Sequence, residues 1–421
     1  MLICCKSSIT RVFLMVILVL LTISPRTVDA ATASDTDQAW VKARAFCSGH
    51  PESINSFYSP WMCAVALGSQ ADPLAGSVNL TEPDTAQPAS IANSMIGLMA
   101  KGENPTQVQI NGSDTNLVAL LVSKQDVNSG CFTTSADSLN NTIWSVIALD
   151  MYNCNYAAAP ANYNVTAAIE YIKAKQRASG AYCEWVNDPN SPGAADDIDS
   201  TAHALLALAG HTPIESDVVQ RALAFLKKDD LQSATGALLS WGSDSPDSTA
   251  AVIEALTAWG ISPQSADWTK AGKSLVDGLL SHQQSDGSFI EQGLNSTGSA
   301  LCALADLTAG YSKYRSKLPQ AWIRINAPMV LSSGQDCDLT ITICNPTAAA
   351  QDNLVIAALY DPQGKMLTYS YSQYNLAAGE DHNVGLGFGV NAAAGSLVKV
   401  MVWDNWQQRT PLCAPAVIPV H

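Results

Sequence analysis

One pattern, repeated four times through the middle of the chain, constrains the fold more than any other feature. A Gly-centred turn, Ser129-Gly130-Cys131-Phe132, recurs as Ser179-Gly180-Ala181-Tyr182, Thr235-Gly236-Ala237-Leu238 and Asp286-Gly287-Ser288-Phe289. The glycines lie 50, 56 and 51 residues apart. Each turn follows a helical stretch and precedes a polar tripeptide: Asn140-Asn141-Thr142, Asp199-Ser200-Thr201, Asp247-Ser248-Thr249 and Asn295-Ser296-Thr297. The tripeptide opens a second, more apolar helix. A fixed period of this size marks stacked supersecondary units, none of which can bury its apolar face alone.

The two helices of a unit differ in character. Thr201 to Ala209 is almost unbroken apolar sequence, and Thr249 to Trp259 and Ser299 to Ala305 read the same way. The preceding helix is amphipathic: in Val165–Gln176, Ile169 and Ile172 share one side, while Glu170, Lys173 and Lys175 fall mostly on the other. A helix apolar all round must be covered on every side, whereas an amphipathic one can form an outer wall. Alternation therefore predicts an inner ring of helices within an outer one. Asp199, Asp247 and Asn295 stand where N-caps are expected, each worth about 1 kcal/mol.

The first 30 residues set the expected compartment. Lys6 and Arg11 precede an apolar run from Val12 to Leu21, and Val28-Asp29-Ala30 offers a small-residue cleavage site. This reads as a secretory signal peptide over 1–30, too short for a membrane span. Cleavage removes three basic residues and one acidic residue, taking the formal net charge from −15 to −17. So acidic a chain is a poor partner for nucleic acid or anionic lipid. A secreted or cell-surface protein without a transmembrane segment is expected. Disulfides are then the default for the nine remaining cysteines, with at least one thiol left over or engaged in an intermolecular bond. Cys337 and Cys344 flank an alternating strand of roughly 23 Å, too long for them to pair with each other.

After Leu318-Pro319 the pattern changes to period-two alternation: Trp322–Ile325, Leu339–Ile343, Leu354–Tyr360, Met366–Tyr371, Val384–Val390 and Leu397–Trp403. Short strands separated by turn residues predict an immunoglobulin-like β-sandwich over 319–421. It carries no catalytic constellation. Packing or docking is its expected role.

Gly180-Ala181-Tyr182 with Asp197-Ile198-Asp199-Ser200-Thr201-Ala202-His203-Ala204-Leu205, and Gly287-Ser288-Phe289 with the helix after Asn295, resemble the prenyltransferase/squalene-cyclase type of repeat. The resemblance covers about Asp114–Tyr311. It implies an (α/α)6 toroid, here over 31–318, as the first domain of an α+β multidomain chain. It also implies a central cavity, used by terpene cyclases, prenyltransferase subunits and non-catalytic carriers such as the transcobalamin-like cobalamin binders.

Within that family, protonating cyclases place a D-x-D-D motif at the cavity. Here Asp197-Ile198-Asp199 supplies the first two acids and Ser200 replaces the last. By carry-over Asp199 is the candidate proton donor and Asp197 its neighbour. A zinc-dependent prenyltransferase is not supported: His203 and Cys302 lack a completing Asp-x-Cys or distant His pair, so neither a metal nor another cofactor is expected. A carbohydrate-active (α/α)6 enzyme would draw on Asp197, Asp199 and Glu184, with Trp185 and Trp241 for stacking. The reading that covers most of the chain is non-catalytic binding. Trp241, Trp144, Trp185 and His203 are its candidate contacts. An apolar small molecule or corrinoid in the cavity, or an extracellular protein or glycan at its rim, is the expected partner.

Overall fold

A computed structural model describes residues 31–50, 59–70, 72, 74–132, 139–156, 160–183, 195–291, 294–315, 324–325, 334, 336–344, 350–377, 380–393, 395–409, 411–412 and 416–420. The expected signal peptide lies outside them. The protein is mixed α+β with small antiparallel sheets. Its helices are α1 (Ala33–Gly49), α2 (Ser59–Ser69), α3 (Leu74–Ser77), α4 (Pro88–Lys101), α5 (Leu117–Ser123), α6 (Leu139–Asn155), α7 (Val165–Ala174), α8 (Ile198–Leu208), α9 (Asp217–Leu226), α10 (Pro246–Ala258), α11 (Leu275–Ser281) and α12 (Thr297–Ala309).

Among these, the even-numbered helices are the most heavily buried along their length. Each packs on the next even-numbered helix, and α12 packs back on α2, so the contacts form a closed circuit. The odd-numbered helices lie against them: α7 against α6 and α8, α9 against α8, α11 against α10, and α1 against α12 and α11. In α9 only Val219, Ala222, Leu223, Phe225 and Leu226 are buried, a one-sided stripe. In α8 burial runs from Ala204 to Leu208 without a break.

The repeated residues are the joints of this circuit. The Thr of each tripeptide accepts a hydrogen bond from a backbone N–H beyond the Gly turn. Phe132 N donates to Thr142 Oγ1 at 3.0 Å, Tyr182 N to Thr201 at 2.9 Å, Leu238 N to Thr249 at 2.9 Å and Phe289 N to Thr297 at 3.0 Å. The turn glycines have φ of 77°, 90°, 94° and 95°, a region costly for residues with a Cβ. Each also lies against backbone of the next odd-numbered helix or its entry, with Gly287 against Lys42 of α1.

A glutamine stands four or five residues before each of these glycines. Gln125, Gln176, Gln232 and Gln283 donate both to the Gly carbonyl and to a carbonyl at or near the next odd-numbered helix. For Gln283 that second acceptor is Ala39 O of α1, at 2.7 Å. The first helix thus docks on the last unit.

The helix caps correct the sequence expectation. Asp197 caps α8, accepting from Ser200 N at 2.6 Å, and Ser245 caps α10, accepting from Ser248 N at 3.1 Å. Ser296 is the α12 cap residue. Asp199 and Asp247 therefore fall in the first turn, and Asn295 lies just before α12. The cause is local. Asp197 is extended and bridges Tyr182, and Pro246 starts α10 at a position where no N–H is needed.

Short antiparallel hairpins, absent from the sequence reading, connect several units: β1 (Val108–Ile110) with β2 (Ser113–Thr115), β3 (Leu238–Ser240) with β4 (Ser243–Ser245), β5 (Thr269–Lys270) with β6 (Lys273–Ser274), and β7 (Ile290–Glu291) with β8 (Leu294–Asn295).

The C-terminal strands are β9 (Arg324–Ile325), β10 (Asp336–Cys344), β11 (Gln351–Tyr360), β12 (Met366–Leu376), β13 (Asp381–Gly389), β14 (Leu397–Trp403) and β15 (Ala416–Pro419). They form two sheets, ordered β13-β10-β9 and β12-β11-β14-β15. Leu339, Ile341 and Ile343 of β10 share one core with Val355, Ala357 and Leu359 of β11 and Val398, Val400 and Val402 of β14. Alternate residues of these strands point to that core, as the period-two pattern requires. This region meets α1: Lys399 pairs with Asp37, and Ser34 Oγ donates to Pro362 O at 2.7 Å.

Candidate functional site

The repeat register singles out two positions in each apolar helix. Two residues before the locked Thr stand Asn140, Asp199, Asp247 and Asn295; two after it stand Trp144, His203, Ala251 and Ser299. The residues around them are almost wholly buried. Asn140, Asp199, His203, Asp247, Asn295 and Ser299 stay half-buried, so this end of the helices is open. Met62 of α2 joins it, its sulfur 3.6 Å from Ser299 Oγ.

Aromatic rings pack together next to these positions. Trp144 lies 4.9 Å from His203 and 5.1 Å from Trp61, centroid to centroid. Asp247 Oδ2 accepts from Ser296 Oγ at 2.6 Å, tying α12 to α10. The half-buried groups at this end are carboxylates, amides, a hydroxyl and the His203 imidazole, whereas Trp144 and Trp61 are buried, at 6% and 8% exposure. Such an end suits a ligand with hydrogen-bonding groups.

His203 is half-buried by surface area, yet protein atoms surround its ring. Burial pushes the imidazole down to about 4, and Asp197 opposes this only partly. The folded protein therefore holds it neutral. Its stabilising contribution is complete above about pH 6.5 and is lost as pH falls toward 4. An NMR titration should place the His203 midpoint near pH 4. A midpoint near 6.5 would show a solvated ring.

The opposite end of the helices is closed by residues that sequence reasoning missed. Lys313, in the turn after α12, donates to Glu254 Oε2 at 2.8 Å and to Cys302 O at 3.2 Å, and its Nζ is 3.3 Å from Asp306 Oδ1. All three charged groups are buried. Burial raises Asp306 to about 7 and also raises Glu254, against the pull of Lys313. For Lys313, burial favours the neutral amine, but the two acids outweigh it and raise the ammonium above its usual range.

Arg315 continues the seal. It pairs with Asp150 of α6 and donates to Leu206 O and Ala207 O of α8 at 2.6 and 2.9 Å. Those are free carbonyls at a helix C-terminus, where a cation is favoured. Asp150 also meets His211 Nε2 at 2.6 Å and accepts from Tyr163 OH at 3.1 Å. Burial would raise Asp150, but His211 and Arg315 hold it below the usual carboxylate range. Ser312–Arg315 thus straps four helices together at this end.

The structure brings together Trp144, His203 and, at the same open end, Asp199. Asp197 is engaged as a cap. Trp241 sits at the tip of the β3–β4 hairpin, 96% exposed and with φ 52°. With Gly242 at φ 83° it forms a two-residue turn of the kind that usually takes Asn-Gly. Glu184 and Trp185 lie outside the described residues.

No family model and no curated protein matches the chain. Among solved structures, the C-terminal domain of wzt is similar over 24% of this chain and 70% of that one, at 13% identity and TM-score 0.20. A CARDB domain from Pyrococcus furiosus is similar over 23% of this chain and 89% of that one, at 12% identity and TM-score 0.19. The alkylpurine DNA glycosylase AlkC from Pseudomonas fluorescens aligns over 93% of this chain and all of that one, at 12% identity and TM-score 0.19. Scores this low carry no argument about fold or function.

Proposed function

We propose that this is an exported, non-catalytic binding protein: an (α/α)6 toroid over 31–318, followed by an immunoglobulin-like β-sandwich, with its ligand in the toroid mouth. The circuit of even-numbered helices, flanked by odd-numbered ones, supports the toroid. The shared core of two antiparallel sheets supports the sandwich. The observation that carries the binding reading is the contrast within each repeat. Thr142, Thr201, Thr249 and Thr297 hold the frame, while the positions two residues away differ in chemistry, and six of those eight stay half-buried. An apolar small molecule or a corrinoid is the proposed ligand.

The cyclase reading assigns the proton to Asp199, which stands at the same end, with Asp197 beside it held as a helix cap. Ser200 in place of the last acid of the motif weighs against that reading.

Native mass spectrometry of the mature protein with linear isoprenoids and corrinoids tests the proposal. Wild type and Asp199→Asn should each retain an intact ligand, and Ser299→Trp, at a half-buried position of the mouth, should block it and lose the ligand. A new product formed by wild type and absent from Asp199→Asn would make the protein an enzyme and sink the proposal. Retention unchanged in Ser299→Trp would move the ligand elsewhere.

A further inference from the structure

Aromatic side chains collect on the outer face of the sheet β12-β11-β14-β15. β11 turns Val355, Ala357 and Leu359 to the core between the sheets, and Leu354, Ile356 and Ala358 the other way. On that outer side Ala358 is paired with Tyr369 of β12, and Ile356 lies between Tyr371 of β12 and Met401 of β14. Leu354 is paired with Trp403 of β14. The three aliphatic residues are buried, at 4% exposure or less. The rings above them are not: Tyr369, Tyr371 and Trp406 are 52%, 50% and 38% exposed.

These rings touch one another. Tyr369 and Tyr371 are near parallel with centroids 6.3 Å apart, and Trp406 meets Tyr371 edge-on at 5.2 Å and Trp403 at 6.5 Å. Trp406 is set in place by its own loop. Asn405 Oδ1 accepts from Gln407 N at 2.9 Å and Gln408 N at 2.8 Å, and Arg409 N donates to Asn405 O at 3.0 Å. At the far end the same face is already used by the helical domain, where Tyr360 packs on its core and Lys399 pairs with Asp37 of α1. The open part begins at Tyr369.

We propose that this aromatic platform is a second binding site, for a neutral glycan chain. A protein partner is usually anchored by a side chain sunk into a pocket. Here the aliphatic layer is already sealed, and the surface on offer is ring faces and hydroxyls. A sugar ring suits it, because its C–H face can lie on an aromatic ring while its hydroxyls point sideways. The fringe supplies partners for those hydroxyls. Gln373 follows Tyr371 on the outer side of β12, and Gln407 and Gln408 follow Trp406, all exposed. Each amide can both donate and accept, as a hydroxyl requires.

Charge points the same way. Lys399 is neutralised by Asp37, Asp352 Oδ1 accepts from Asn375 Nδ2 at 2.7 Å, and Asp404 Oδ1 accepts from Asn405 N at 2.6 Å. Arg409 is the exposed charge of the loop. Such a face exerts little pull on a strongly charged partner. Tyr and Trp also present large area on stiff side chains, so little rotamer freedom is lost when a chain settles on them.

The site lies on the strand region and not at the toroid mouth, so its test stands apart from that of the ligand proposed there. The whole mature protein is run in native gels containing xylan, galactomannan or dextran, with heparin as the anionic comparison. At least one neutral polysaccharide should retard wild type, and heparin should not. Tyr371→Thr and Trp406→Ala should each weaken that binding about tenfold or more. Threonine removes the ring while keeping a strand preference, and Trp406 lies in a loop, so both variants should melt near wild type. Trp241→Ala and Ser299→Trp should bind the polysaccharide as wild type does. Retardation by none of the three, by heparin alone, or equally in wild type and both platform variants overturns the proposal. Sedimentation of the protein alone as a dimer that Tyr371→Thr dissociates would assign the face to a second copy and overturn it as well.

Discussion

Replacing Lys313 with methionine should destabilise the fold by about 3–5 kcal/mol, because it strands two buried acids without their cation. Lys313 contacts Glu254 and Asp306, and both are buried. Urea unfolding of wild type and Lys313→Met measures the loss directly. The triple variant Lys313→Met/Glu254→Gln/Asp306→Asn should recover most of it, since the cost lies in unpaired charge and not in lost volume. A small effect of the single change would mean that water reaches the cluster.

The same cluster sets a pH dependence of unusual sign. Asp306 is raised by burial to about 7 in the folded protein, against about 3.9 in an unfolded chain. Between those values the folded state holds a proton that the unfolded state has released. Stability from this site is thus highest below about pH 4 and declines as pH rises toward 7. His203 acts in the opposite direction over about pH 4 to 6.5. Comparing wild type with His203→Gln separates the two. In Lys313→Met the acids lose their cation, so the decline should extend to higher pH.

Gly287→Ala should cost about 3 kcal/mol or more, combining strain at positive φ with overlap against fixed backbone. Gly287 has φ +95°, and an added Cβ would meet Lys42 O at 2.2 Å and its carbonyl carbon at 2.5 Å. Neither atom can move without shifting α1. Gly210→Ala is the control: φ is +76° there, but the added Cβ meets nothing within 4 Å, so only a strain of about 1–2 kcal/mol is expected. Thermal melts of the two variants measure the difference. Early proteolysis within α1 should accompany the Gly287 change, because that contact docks α1 on the last unit. Equal losses for both glycines would show that the close approach carries no energy.

Much of this architecture was legible in the residues. The strand expected at Leu397–Trp403 is β14, and the apolar run from Thr249 begins within α10. Both signals are local, written in periods of 2 and 3.6 residues. The repeated glycines were legible too, but not the reason for them, which is backbone of a neighbouring helix. The caps of α8 and α10 were misplaced by two residues because Pro246 and the Asp197–Tyr182 bridge set the helix starts. Gln125, Gln176, Gln232 and Gln283 carried a signal that aligning the units on their glycines would have found.

The sequence by itself determined the alternation of helices, the switch to strands, the repeat register and hence which side chains recur at equivalent positions. Only the tertiary structure decided which end of the helices is open. The seal at the other end joins Lys313 to Glu254 across 59 residues and Arg315 to Asp150 across 165. Such pairs leave no periodic trace in the chain. Their stability comes from the low dielectric that the packed helices create around them, and that environment exists only once the helices have come together.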